Sequence, residues 1–246
     1  MRLPFSRQRA APIHEGIENR TRKYSGGGGA ELKADLHVHT GDDPEDKVGY
    51  SSFELLDAAS DHGFDVISIT NHNVITYSEE LKNYADGRGI LLIPGVERTI
   101  GRKHVLIINA EWEDLEVESF GELFTRSGSS KLIIAPHPFF PSSCSLRGDL
   151  TSHIGLFNAI EYSHYYTVSM NFNRKAVLLS CQSQKPLIGT SDAHFLHQLG
   201  TTYSMVRAHK DVKSIISAVR NGDVRVMSGP LSISHALKIR FSMGLI

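Results

Sequence analysis

Apolar runs of strand length alternate with amphipathic stretches of helix length along almost the whole chain, and this alternation most constrains the fold. "LKADLHV" (32–38), "DVISIT" (65–70), "ILLIPG" (90–95), "HVLIINA" (104–110), "KLIIAP" (131–136), "NAIEYS" (158–163), "PLIGTS" (186–191), "TTYSMVRA" (201–208) and "VRVMSG" (224–229) read as strands. Between them "SFELLDAASDHG", "SEELKNYADGRG", "SFGELFTRSGS", "NFNRKAVLLSCQSQ" and "VKSIISAVRNG" carry apolar residues at helical spacing, several closed by glycine. Such an order argues for a mostly parallel sheet covered by helices, either open or closed into a barrel. A chain of 246 residues accommodates this as one large domain.

The ends and the composition narrow the setting. No run reaches the eighteen or so apolar residues a membrane helix needs, and the N-terminal twenty residues lack an apolar signal core, so a soluble, cytoplasmic protein is expected. Cys144 and Cys181 lie in no CxxC motif and read as plain thiols. Residues 1–30 hold six basic residues against Glu15 and Glu18 and end near "SGGGG", the composition of a disordered arm; residues 31–246 form the domain. Removing the arm from the chain's 26 basic and 27 acidic residues leaves 20 and 25, so the domain offers no overall attraction to nucleic acid.

The polar residues fall in a pattern. His37 and His39, Asn71 and His72, Glu97, His137, Glu161, and Asp192 and His194 stand at or just past the C-terminal ends of the expected strands, the edge that carries active sites in parallel α/β folds. His37 and His39 point to one face because strand side chains alternate, and Asp35 shares that face. "GTSDAH" repeats the two-residue spacing with Asp192 and His194. Imidazoles mixed with carboxylates suit Zn, Mn or Fe. Residues 34–50 add five carboxylates, a density that a solvated loop or a metal site explains. His62 reads as a helix-end charge partner, Trp112 as packing, and His164 and His197 as residues that either touch substrate or face solvent.

The ordered set "DLHVHT", "FDVISITNHN", "IPGVE", "HVLI", "APHP", "NAIEY" and "GTSDAH" resembles the polymerase-and-histidinol-phosphatase (PHP) superfamily of metal-dependent phosphoesterases over about residues 32–230. The resemblance implies a distorted (β/α)7 TIM-like barrel with two or three divalent ions at the strand C-termini. It implies that His37, His39, Glu97 and Asp192 hold one ion, and that Glu97 bridges to a second on His104 and His137. A third would take His72, His194 and a carboxylate of the loop after His39, for which Asp43 is favoured over Asp42 and Asp46. Glu97, Asp192 and His194 would carry the chemistry. This chain departs from related sequences in its loop, "GDDPEDK" in place of "SDG", and in Asn71-His72 where "TDH" is usual. Asn71 keeps a hydrogen-bonding side chain but lacks the charge that would support the third ion.

The expected activity is metal-assisted hydrolysis of a small phosphate ester or nucleotide, with Arg98, Arg102, Lys103, Arg147 and Arg174 as candidate phosphate clamps. Three alternatives remain: a nuclease acting on nucleic-acid ends, an amidohydrolase-type enzyme, and a non-catalytic binding or regulatory module.

Overall fold

The structure is a computed structural model and describes residues 11–12 and 29–242. The arm expected over residues 1–30 lies almost wholly outside the described residues; within it, Ala11–Pro12 forms a short strand, β1. The remaining strands are β2 (Ala30–Val38), β3 (Val66–Ile69), β4 (Leu91–Leu92), β5 (Gly95–Ile100), β6 (Lys103–Ile108), β7 (Leu132–Ala135), β8 (Ala159–Ser163), β9 (Leu187–Thr190), β10 (Thr202–Ala208) and β11 (Val224–Ser228). The helices are α1 (Ser52–Asp61), α2 (Glu79–Asp86), α3 (Phe120–Arg126), α4 (Gly148–Ser152), α5 (Asn173–Ser183), α6 (Val212–Asn221) and α7 (Ile233–Ser242).

Local chemistry sets these limits. Ser51 opens α1 with a capping box, its hydroxyl accepting from the Glu54 N–H while the Glu54 carboxylate takes the Ser51 N–H. His62 is the C-cap residue at the other end, its backbone N–H bonding Ala58 O. Asp211 caps α6, which stops at Gly222 with φ +82°, a conformation glycine adopts without strain. Trp112, read as a packing residue, is 64% exposed and contributes little to the core.

The expected (β/α)7 barrel does not form. The strands divide into a six-stranded sheet, β1-β11-β10-β2-β3-β4, and a five-stranded sheet, β5-β6-β7-β8-β9, and both are mixed. Part of the reason is the β5–β6 connection. Only Gly101 and Arg102 join these strands, both at positive φ, a turn that permits only an antiparallel pair. The other part lies at the two seams. Between β9 and β10, Ser204 Oγ bonds both the N–H and the C=O of Gly189 at 2.9 Å, occupying groups a ladder would use. Between β3 and β5, Gly95 is pressed against Ser68 and Thr70, with no room for a Cβ. Beyond β3, one isolated bridge joins His72 to Glu97 of β5; another joins Val38, the last residue of β2, to Ala193 beyond β9. The parallel pairs β2/β3, β3/β4, β7/β8 and β8/β9 still direct their C-terminal ends to one rim.

Beneath that rim the core is apolar. Leu36, Val66, Ile93, Leu106, Ile134, Ile188 and Val206 are buried together, and α6 covers them with Ile215, Ile216 and Val219. The polar residues at the strand ends are therefore set on a rigid apolar base.

Candidate metal centre

β2 delivers His37 and His39 fully buried, with their Nε2 atoms 3.2 Å apart. Glu97 Oε2 lies 3.1 Å from the first and 3.3 Å from the second, and Asp192 Oδ1 lies 3.4 and 3.3 Å from them. Two imidazole nitrogens facing each other do not satisfy one another unless one is protonated. Two nitrogens and two carboxylate oxygens converging on one point are the donor set of a divalent ion, so these residues fit a metal.

Glu97 also serves a second set. Its Oε1 lies 2.7 Å from His104 Nδ1 and 3.1 Å from His137 Nε2, while Oε2 lies 3.2 Å from His72 Nε2. One carboxylate shared between two imidazole groups is the arrangement of a bridging ligand. Asp43 Oδ2 sits 2.8 Å from His39 Nδ1 and 3.0 Å from His72 Nδ1. Its other oxygen accepts the N–H groups of Glu45 and Asp46 at 2.8 and 3.0 Å, which closes the acidic loop over the site.

Eight of the nine expected ligands thus fall into overlapping groups whose donor atoms lie within 4.8 Å of one another: His37, His39, Asp43, His72, Glu97, His104, His137 and Asp192. His194 is not brought together with Asp43 and His72. Its ring stacks on His39 at 4.3 Å between centroids, and its Nε2 bonds Asp46 Oδ2 at 3.0 Å. Asp42 turns the other way, accepting the Ser52 hydroxyl at 2.8 Å.

Surrounding residues hold the donors in place. Glu161, fully buried, takes His37 Nδ1 at 2.7 Å and the Thr190 hydroxyl on Oε1, and the His137 N–H on Oε2. One carboxylate therefore aims donors on two strands. Asn71 accepts the Thr40 N–H at 2.8 Å and donates to the Thr40 and Thr76 hydroxyls, fixing the chain just after His39. His137 and Asp192 have φ of +27° and +46°, uncommon for residues other than glycine; such conformations persist where surrounding contacts impose them.

The electrostatics follow from crowding. Burial favours neutral imidazole, yet Asp192, Glu97 and Glu161 hold His37 well above its usual range, and Asp192, Asp43 and Glu97 do the same for His39. Burial also lowers His104, but Glu97 raises it to about 10. Burial raises carboxylate pKa values; the histidines outweigh it and hold Glu97, Asp192 and Asp43 well below theirs. Without an ion the imidazoles take up protons that metal binding would release.

Among the described residues no lysine or arginine forms a hydrogen bond or ion pair with these donors. Arg98 bonds Val117 O at 3.1 Å and Asn73; Lys103 bonds the carbonyls of Ser143 and Ser145 at 3.0 and 2.9 Å. Arg102, Arg147 and Arg174 are exposed. One neighbour was missed in the sequence: Cys144. Burial raises its thiol, but hydrogen bonding from His104 and the charge of His137 bring it down to about 7. No motif marks it, because the loop after His137 folds it back beside His104, whose N–H donates to Cys144 O at 3.0 Å.

Fold and donors together define a class: an α/β protein with histidines and carboxylates gathered at the strand ends as a candidate metal centre. The PHP-associated family model matches residues 171–224. An uncharacterized protein of Methanocaldococcus jannaschii is 30% identical over 146 residues, covering 55% of this chain and 84% of the relative. PsfC from Pseudomonas syringae superposes with a TM-score of 0.59 at 18% identity, over 88% of this chain and 99% of its own. The lesion-specific endonuclease PfuEndoQ from Pyrococcus furiosus gives 0.54 at 16% identity, over 85% of this chain and 66% of its own. At these identities the two structures speak to the fold. The chain belongs to the PHP superfamily.

Proposed function

We propose that the protein is a metal-dependent phosphoesterase acting on small phosphate esters or nucleotides, with two or three divalent ions of the Zn, Mn or Fe type. The observation that carries this reading is the sharing of Glu97 between His37, His39 and Asp192 on one side and His104 and His137 on the other. Ions bound there supply Lewis-acid charge and activate water for attack on phosphorus. The chain's own residues do the rest. Glu161 keeps His37 turned so that Nε2 faces Glu97 and Asp192. Asp46, half-exposed, lies 3.0 Å from His194 Nε2 and holds that ring at the solvent side of the centre.

The choice of small substrates rests on charge. Arg98 and Lys103 are bound elsewhere and among the described residues no lysine or arginine bonds the donors, so the ions provide most of the attraction for phosphate. A polymer would need a basic groove, and each phosphate neutralised there steepens the salt dependence. The test compares turnover of a mononucleotide or sugar phosphate with that of an internally labelled oligonucleotide across a salt series. Faster turnover of the small ester with a shallow salt slope supports the reading. Faster cleavage of the oligonucleotide with a steep slope would make the protein a nuclease.

A further inference from the structure

Outside the donor groups, one buried pair of side chains is tied to the candidate centre without belonging to it. Gln198, 1% exposed, ends a short 3-10 turn over Leu196–Gln198, and its Oε1 accepts the N–H groups of His194 and Phe195, each at 2.8 Å. The two ends of an amide side chain differ only in hydrogen bonding. Two backbone N–H groups directed at one atom identify that atom as the oxygen. The other end is then the NH2 group, and it faces His164 Nε2 at 3.1 Å.

That contact fixes the histidine. A nitrogen receiving an amide N–H carries no proton of its own, so the proton of neutral His164 resides on Nδ1. His164 is buried, and burial lowers its pKa to about 4 despite the nearby charges of Asp192 and Glu161. Its Nδ1 has no partner among the described residues.

We propose that Gln198 is a positioning residue of the centre: it holds the Asp192–Ala193–His194 segment in place and fixes His164 as the neutral Nδ1–H tautomer. The segment needs such a hold because Asp192 sits at φ +46°. From the other side it is anchored by the Asp192 N–H on His37 O at 2.9 Å and by the Tyr50 hydroxyl on Ala193 O at 2.8 Å. Gln198 supplies the third hold, at His194 itself. An amide suits this position better than a carboxylate. A carboxylate would draw a proton onto His164 Nε2 and place an imidazolium close to Asp192 and Glu161, where it would oppose cation binding.

The inference rests on the metal-centre reading of Asp192 and His194, but its primary readout does not depend on activity. Protein labelled with 15N-histidine, with His164 assigned by the signals lost in His164→Gln, should show Nδ1 protonated and Nε2 bare at pH 7. Gln198→Glu keeps an oxygen for both backbone N–H groups and should fold, move a proton to His164 Nε2 and weaken Zn2+ binding about 10-fold in a chelator competition. Gln198→Met removes every bond and should weaken it about 100-fold. A bare Nδ1 in the parent protein overturns the proposal, as does Gln198→Glu with an unmoved proton or Gln198→Met with unchanged Zn2+ affinity. Should Gln198→Met fail to fold, the parent spectrum and Gln198→Glu still decide. A correct tautomer in a protein that hydrolyses no phosphate ester would count against the phosphoesterase reading alone.

Discussion

Replacing Glu161 by glutamine keeps shape and volume and removes one charge. All three of its partners donate: the His37 Nδ1–H at 2.7 Å, the Thr190 hydroxyl and the His137 N–H. A glutamine has one oxygen, so its NH2 group must face a donor in either orientation. Turned towards His137, it meets the backbone N–H and loses that bond. Turned towards His37, it is accepted only if His37 moves its proton to Nε2, the nitrogen aimed at Glu97 and Asp192. Either outcome loses a charge-assisted bond, about 1.5–3 kcal/mol. At ~1.4 kcal/mol per decade, metal affinity should fall about 10- to 100-fold. Zn2+ or Mn2+ titration against a chromophoric chelator measures this in parent and variant. Equal affinities would refute the claim that Glu161 sets the orientation of His37.

His39→Ala and Asp192→Ala should each lose at least one ion by elemental analysis and abolish turnover; full occupancy in both would remove the basis of the ligand assignment. In chelated protein, burial lowers the His104 pKa but Glu97 raises it to about 10, so their pairing stabilises fully below about 6.5 and is lost as pH rises towards 10. Glu97, held low, contributes stability present above about 4.5 and lost as pH falls further. Thermal melts of the chelated protein should therefore peak near pH 5–6.5 and decline towards pH 10, and a melting temperature that climbs over that range contradicts the pairing. Deleting residues 1–29 removes the two-residue pairing of β1 with β11 and should shift the melting temperature by less than about 4 °C, with turnover of small substrates unchanged. A larger loss in a melting scan would show that the arm packs on the domain.

The strands and helices were legible because apolar periodicity is a local signal: each of the nine strands and five helices read from the sequence is present, with ends displaced by a few residues. Elements without that signal were missed. β5, "GVERTI", alternates weakly, and α4 and α7 lack the clear apolar spacing of the other helices. Barrel closure was misjudged because pairing direction depends on turns and seams, here on Gly101-Arg102 and on Ser204 against Gly189. The strand-end rule places His37, His39, His72, His137 and Asp192 correctly at or just past the ends of β2, β3, β7 and β9, whereas Glu97 and Glu161 lie within β5 and β8 and His104 at the start of β6. It could not show that Asp46 rather than Asp43 meets His194, which depends on how one acidic loop folds. Nor could it show that Asn71 would tie down Thr40, a contact between residues 31 apart.

Metal stoichiometry coupled to turnover tests the central claim most directly. The purified protein should contain two or three divalent ions per chain and hydrolyse a small phosphate ester. A chelator should remove ions and turnover together, and added Zn2+ or Mn2+ should restore both in proportion. A protein that binds no ion at micromolar concentrations, or that hydrolyses the ester equally well after its ions are removed, would contradict the account.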